Sequence, residues 1–215
     1  MTDRVDVNGV IIEEGVVAGN FYNKYKTKNP IARYFMQGFI NSVIELVSVT
    51  HADDIHEIGC GEGYLSAILA KGSSRIRASD FSQQVIDKAQ AITKKTGINI
   101  DFKVAGIYDL IPEKDTAELV VCCEVLEHLE HPQRAMGVLS TLANPYLLVS
   151  VPREPIWRLL NMARGKYISS LGNTPGHIQH WSKRSFLNML NKYVDIVEVL
   201  TPLPWTIALC HARKK

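Results

Sequence analysis

The chain is predicted to be an α/β protein, with a mostly parallel sheet covered by helices on both faces. Three observations carry this. Short β-like runs alternate with helix-length segments, the first run ends in a glycine-rich turn, and two late runs are joined by a connection too short for a helix.

Taken in order, residues 1–30 are mixed, with turn signals at Asn8-Gly9, Gly19-Asn20 and Asn29-Pro30. A helix follows, because Ile31, Tyr34, Phe35, Phe39, Ile40, Val43, Ile44 and Val47 recur on one face. Strands are expected at 54–59, 75–80, 98–104, 117–123 and 146–152. The segments GYLSAILAKG and FSQQVIDKAQAITKKTG lie between the first three, each with helical periodicity and a glycine near its end where a C-cap belongs. Helices over 132–142 and 182–192 and a final antiparallel pair, YVDIVEVL and WTIALCH, complete the pattern. Residues 153–180 are too long for an ordinary strand-to-helix connection and read as an insertion at the ligand end of the sheet. Within it, Ile156, Leu159, Leu160 and Ala163 form the apolar face of a helix. Arg153, Arg158, Arg164 and Lys166 lie mainly on the other face, facing solvent or a membrane or lipid-linked acceptor.

With 46% hydrophobic and 21% charged residues, the composition is that of a soluble globular protein able to bury a core. A net charge of +2 gives no reason to expect non-specific nucleic-acid binding. No apolar run reaches the roughly 18 residues of a membrane span, and the acidic N-terminus is not read as a secretory signal. Cys60, Cys122, Cys123 and Cys210 form no CxxC pair and read as reduced thiols of a cytoplasmic protein.

The glycines in EIGCGEGYL carry the first chemistry. In an open α/β sheet a ligand binds where the first strand turns into its helix. Glycine there permits unusual dihedrals and close approach. Gly59, Gly61 and Gly63 are spaced G-x-G-x-G, and Tyr64 breaks the G-x-G-x-x-G dinucleotide fingerprint. The next strand ends in Asp80, an acid suited to the two hydroxyls of a ribose. Asp80 could alternatively cap the following helix, a role Ser82 fills equally well.

Together EIGCGEGYL, SDFS, VAGIYDL and AELVVCCEVLEHLEHP, in this order and spacing, resemble the class I S-adenosylmethionine-dependent methyltransferases, most strongly over residues 50–152. The resemblance implies a Rossmann-like sheet of seven strands with the last antiparallel. It implies one domain over 1–215, with a helical cap over 1–50 and the 153–180 insertion on the acceptor side after the fifth strand. It also implies S-adenosylmethionine as cofactor. Gly59, Cys60, Gly61 and Gly63 would pass under its methionine part, supported by Glu57. Asp80 would hold the ribose, Phe81 the adenine face and backbone of Ile107 the adenine edge, with Glu124 among the contacts. Tyr22, Tyr25 and Arg33 would belong to the cap. Gly106 stands where many relatives carry an aspartate.

The EVLEHLEHP segment places Glu124, Glu127 and His128 at i, i+3, i+4, the spacing of one helix face. Similar enzymes, the small-RNA 2′-O-methyltransferases and ubiquinone-pathway O-methyltransferases, carry a matching E-x-x-E-H that binds magnesium or manganese. A histidine in HIQHWSKRSF, His177, would complete such a site of Glu124, Glu127, His128 and His177, although a metal is not the favoured reading. His128 or His177 serves instead as general base, and His131 and His180 are read as surface or turn positions. Trp157 and Asn161 are acceptor contacts by location.

The expected activity is methyl transfer from S-adenosylmethionine to a small or medium-sized acceptor, at oxygen. The partner is a small-molecule or lipid- or sugar-type acceptor rather than nucleic acid, and the chain is a monomer or homodimer. The rivals are a metal-assisted RNA 2′-O-methyltransferase, a nucleotide-dependent oxidoreductase and a non-catalytic cofactor-binding partner subunit.

Overall fold

The computed structural model describes residues 5–7, 10–13, 16–18, 27–73 and 75–213. The chain begins with β1 (Val5–Val7), β2 (Val10–Glu13) and β3 (Val16–Ala18), paired antiparallel in the order β1-β2-β3. This meander replaces part of the helical cap expected over 1–50. Its Val- and Ile-rich runs favour extended backbone, and the two residues between β1 and β2 are the Asn8-Gly9 of a hairpin signal. Tyr22, Tyr25 and the Gly19-Asn20 signal lie outside the described residues.

Helix α1 (Pro30–Ser48) starts where Asn29 Oδ1 accepts the N–H groups of Ile31 and Ala32, with Pro30 at the first helical position. It buries Met36, Phe39, Val43 and Leu46 against the sheet, and Arg33 is exposed. The main sheet contains β4 (Asp54–Ile58), β5 (Arg75–Asp80), β6 (Asp101–Val104), β7 (Ala117–Cys123), β8 (Ala143–Pro152), β9 (Val194–Leu200) and β10 (Trp205–Ala212). Their order is β6-β5-β4-β7-β8-β10-β9, with β10 antiparallel to both its neighbours and every other pair parallel.

Helices α2 (Tyr64–Leu69) and α3 (Gln83–Thr96) follow β4 and β5, and α4 (Pro112–Asp115) precedes β7. Helices α5 (Pro132–Leu142) and α7 (Lys183–Leu190) complete one apolar layer with Ile58, Val120, Leu147 and Val149. On the opposite face α1 and α2 pack on Ile55, Leu119, Leu148 and Ile207. Strand order reverses between β4 and β7, so the loops after these two strands flank a crevice at their carboxyl ends.

The insertion holds α6 (Ile156–Ala163) and a 3-10 turn at Ile168–Ser170. Its entry is tied to the sheet end, since Arg153 N donates to Pro204 O at 2.9 Å and Glu154 N to Trp181 O at 2.8 Å. The expected apolar stripe is not the buried one. Asn161 is buried and Leu159 is 56% exposed. The Asn161 amide donates to Gly172 O and Thr174 Oγ1, and the Trp157 indole N–H to Thr174 Oγ1, so braced polar groups face inward. Asn161 therefore braces the insertion. Among the described residues no helix is long and apolar enough to cross a membrane.

Candidate active site

The loop after β4 closes directly onto the loop after β7. Gly59 has φ +76°, and a Cβ there would lie 2.3 Å from Val125 Cγ2, so only glycine lets the two loops meet. Gly63, at φ +72°, precedes α2, where a Cβ would press on Phe102 and Ala89 at 3.1–3.2 Å. Beneath the loop, Glu57 is buried and accepts the Ser66 hydroxyl, joining β4 to α2. Cys60 donates to Gly61 O. Burial foremost, then the nearby Glu57 and Asp80 carboxylates, hold its thiol well above the usual range, so it stays protonated.

Asp80 ends β5 with its carboxylate in the same place. Its Oδ2 accepts Gly61 N at 3.0 Å and its Oδ1 accepts Ser82 N at 3.1 Å. Ser82, not Asp80, caps α3 by accepting Val85 N, so the acid is bound to the glycine loop instead. Phe81 follows it, 36% exposed, and Ile107 is buried nearby in a 3-10 turn. Sequence reasoning missed Asp109. Its Oδ2 accepts Gly106 N at 3.1 Å and lies 3.1 Å from where a Gly106 Cβ would be, so a carboxylate stands close to the position of the absent aspartate. An acid three residues after that glycine was the available signal. Acceptor carboxylates at Asp80 and Asp109 with the apolar Phe81 and Ile107 beside them form a set whose chemistry fits a nucleoside.

Across the crevice, Glu124 adopts φ +60°, a conformation uncommon for a non-glycine residue and typical of functional sites. The Trp205 indole N–H donates to its Oε2 at 2.6 Å, and Ser150 Oγ reaches Oε1 at 3.5 Å. Trp205 in turn packs on Phe39 and Trp157. The left-handed turn breaks the helical spacing expected for Glu124, Glu127 and His128. Only Leu126–His128 form a 3-10 turn, and Glu124 faces Trp205 instead.

Glu127, His128 and His177 do converge. One carboxylate oxygen and one ring nitrogen from each histidine lie within 4.8 Å of one another. The imidazoles meet edge to face at 4.9 Å between centroids, and Trp157 stacks on His177 at 5.7 Å. Backbone bonds hold the two segments together, because Glu127 O accepts Ile178 N at 2.9 Å and Gln179 N at 3.0 Å. His128 Nδ1 lies 2.9 Å from Gly176 O. A carbonyl only accepts, so Nδ1 carries the proton and Nε2 keeps a lone pair in the neutral ring. His131 and His180 are exposed, as expected.

A family model described as a methyltransferase domain matches residues 55–145. The ubiquinone biosynthesis O-methyltransferase of Coxiella burnetii is 25% identical over 182 residues, covering 76% of this chain and 77% of its own. The magnesium protoporphyrin IX methyltransferase of Synechocystis PCC 6803, crystallised with bound SAH, shares the fold with a TM-score of 0.67 at 19% identity, covering 87% of this chain and 89% of its own. So does the N-methyltransferase NodS of Bradyrhizobium japonicum WM9 in complex with S-adenosyl-L-homocysteine, with a TM-score of 0.67, 19% identity and coverage of 91% and 94%. Motifs, strand order and these similarities converge on the class I S-adenosylmethionine-dependent methyltransferases, which the chain resembles in sequence over its methyltransferase-domain match and in fold throughout the main sheet.

Proposed function

We propose that the acceptor atom is a hydroxyl oxygen of a small or medium-sized molecule, and that the His128–His177 pair handles its proton. The observation that carries this is the His128 Nδ1 contact to Gly176 O. It fixes the tautomer that leaves Nε2 as the basic nitrogen, beside His177 and the Trp157 ring. The O-methyltransferase named for the Coxiella relative supports the choice of oxygen.

S-adenosylmethionine, when bound, supplies a methyl on a sulfonium, open to in-line displacement. The loop from Gly59 to Gly63 would seat its methionine part, Asp80 its ribose hydroxyls, and Phe81, Ile107 and Asp109 its adenine. Glu124, locked by Trp205, places a carboxylate on the opposite wall. The chain's catalytic share is mainly alignment of the two reactants, with His128 Nε2 accepting the hydroxyl proton. In the test, His128→Ala is assayed with single acceptors of the phenol and aliphatic alcohol classes. Turnover should fall by roughly 10²–10⁴-fold with cofactor affinity unchanged. Unchanged turnover would remove the histidine from the chemistry.

A second reading has its own observation, the Glu127, His128 and His177 group. Two imidazoles and one carboxylate would hold a divalent cation, softer than magnesium by ligand type, that acidifies the acceptor hydroxyl. Activity that disappears with a chelator and returns with manganese would favour it. Chelator-insensitive activity would favour the imidazole base.

A further inference from the structure

We propose that Arg153 recognises an anionic group, a carboxylate or a phosphate ester, carried by the acceptor molecule. The inference rests on the function proposed above, since it assigns a charge to the molecule whose hydroxyl is methylated. Among the described residues, Arg153 Nε is the one buried side-chain nitrogen without a hydrogen-bond partner. A buried donor left unpaired is costly, and native proteins hold few of them. Other arginines satisfy the same atom within the chain. Arg77 and Arg213 donate from Nε to Asp54 and Asp195, and Arg158 and Arg164 to the carbonyls of Leu171 and Leu160. Among the described residues no carboxylate lies within ion-pair distance of Arg153.

Arg153 is not on the polar face of α6, as its spacing suggests, but stands before that helix, where β8 leaves the sheet. Segments carrying all three tryptophans of the chain pin its backbone there. Arg153 N donates to Pro204 O, the residue before Trp205, and Arg153 O accepts Trp157 N at 3.0 Å. A parallel bridge joins Arg153 to Trp181. Trp157 stacks on His177 and Trp205 holds Glu124, so the arginine is bonded to the segments that build both walls of the crevice. A guanidinium presents a planar fork that matches two oxygens of a carboxylate or phosphate. An anionic acceptor would fill the unpaired donor, and the anchor would fix where its hydroxyl stands. A neutral acceptor leaves the donor unpaired and is penalised for it.

The test is calorimetry on the full chain saturated with S-adenosylhomocysteine, titrated with two matched pairs. Para-hydroxybenzoate against para-hydroxybenzamide probes a carboxylate, and glycerol phosphate against glycerol probes a phosphate. At least one anion should bind more tightly than its neutral twin, by about ten- to hundred-fold, and the pair that shows it identifies the group. Arg153→Gln should bring that ratio close to one. Arg153→Lys keeps the charge without the fork and should retain part of the ratio, which separates recognition from a loosened fold. Where the anion is methylated, the loss should fall on KM rather than kcat. Equal affinity for both members of each pair would overturn the proposal, as would a preference that Arg153→Gln leaves in place. His128→Ala removes a base and no anion contact, so it should keep the preference. Turnover untouched in His128→Ala, with the preference present, would therefore remove the histidine from the chemistry and leave Arg153 standing.

Discussion

Glu124 and Gly59 show how the crevice depends on individual backbone conformations. Gly59→Ala combines a positive φ with a clash against Val125. It should destabilise the fold by roughly 1–3 kcal/mol and remove S-adenosylhomocysteine binding, read by thermal denaturation and calorimetry. Asp80→Asn keeps the shape but loses the charge proposed to receive the ribose, so S-adenosylhomocysteine affinity should fall about ten- to hundred-fold. His56 makes a pH prediction. It is buried, with Nδ1 bonded to Asp115 O and Nε2 to Ser79 Oγ, and burial above all holds its pKa below the ordinary 6.5. Between the two values the unfolded chain binds the proton and the folded chain does not. Stability is thus undiminished above 6.5 and declines as pH falls below it. The midpoint of thermal unfolding should drop on acidification, less steeply in His56→Gln. At this scale glycine, acid and histidine types were legible, because their chemistry is local. The place of Glu124 was not, since a single left-handed residue breaks a periodicity without marking the sequence, and the Trp205 partner lies far along the chain.

Among the elements, the parallel strands and their helices were readable because each carries its own period, cap and turn. Ser82 and Gly97 bound α3 where the pattern placed its ends. The N-terminal meander was harder, because runs of three or four residues are too short to establish alternation. In the insertion, amphipathicity pointed to the wrong face. Asn161 is buried by the hydrogen bonds its amide makes, which a hydrophobic pattern does not register. Asn161→Ala leaves Gly172 O and Thr174 Oγ1 without that donor. Proteolysis between Arg164 and Gly172 should accelerate, while S-adenosylhomocysteine affinity stays as it was. Equal cleavage rates in both chains would contradict the bracing role.

For the molecule as a whole, topology places the ligand. One strand-order reversal brings the loops after β4 and β7 together, and the residues assigned to the cofactor follow β4, β5, β6 and β7 along the same carboxyl edge. Ligand binding should therefore stabilise the entire fold. S-adenosylhomocysteine at a hundredfold excess over its dissociation constant should add about 2.7 kcal/mol, whereas NAD and NADP should leave the unfolding midpoint unchanged. The ends of the insertion have a further consequence. Glu154 N is bonded to Trp181 O, so the segment leaves and rejoins the sheet at one point. Its length is thereby uncoupled from the sheet, and each doubling of a flexible loop costs only about 0.6 kcal/mol. With Trp157 and the stretch from Gly176 to Trp181 retained, because they touch His177, Trp205 and His128, the residues between them form an exchangeable cassette. A foreign segment grafted there should fold while S-adenosylhomocysteine affinity, read by calorimetry, stays as it was.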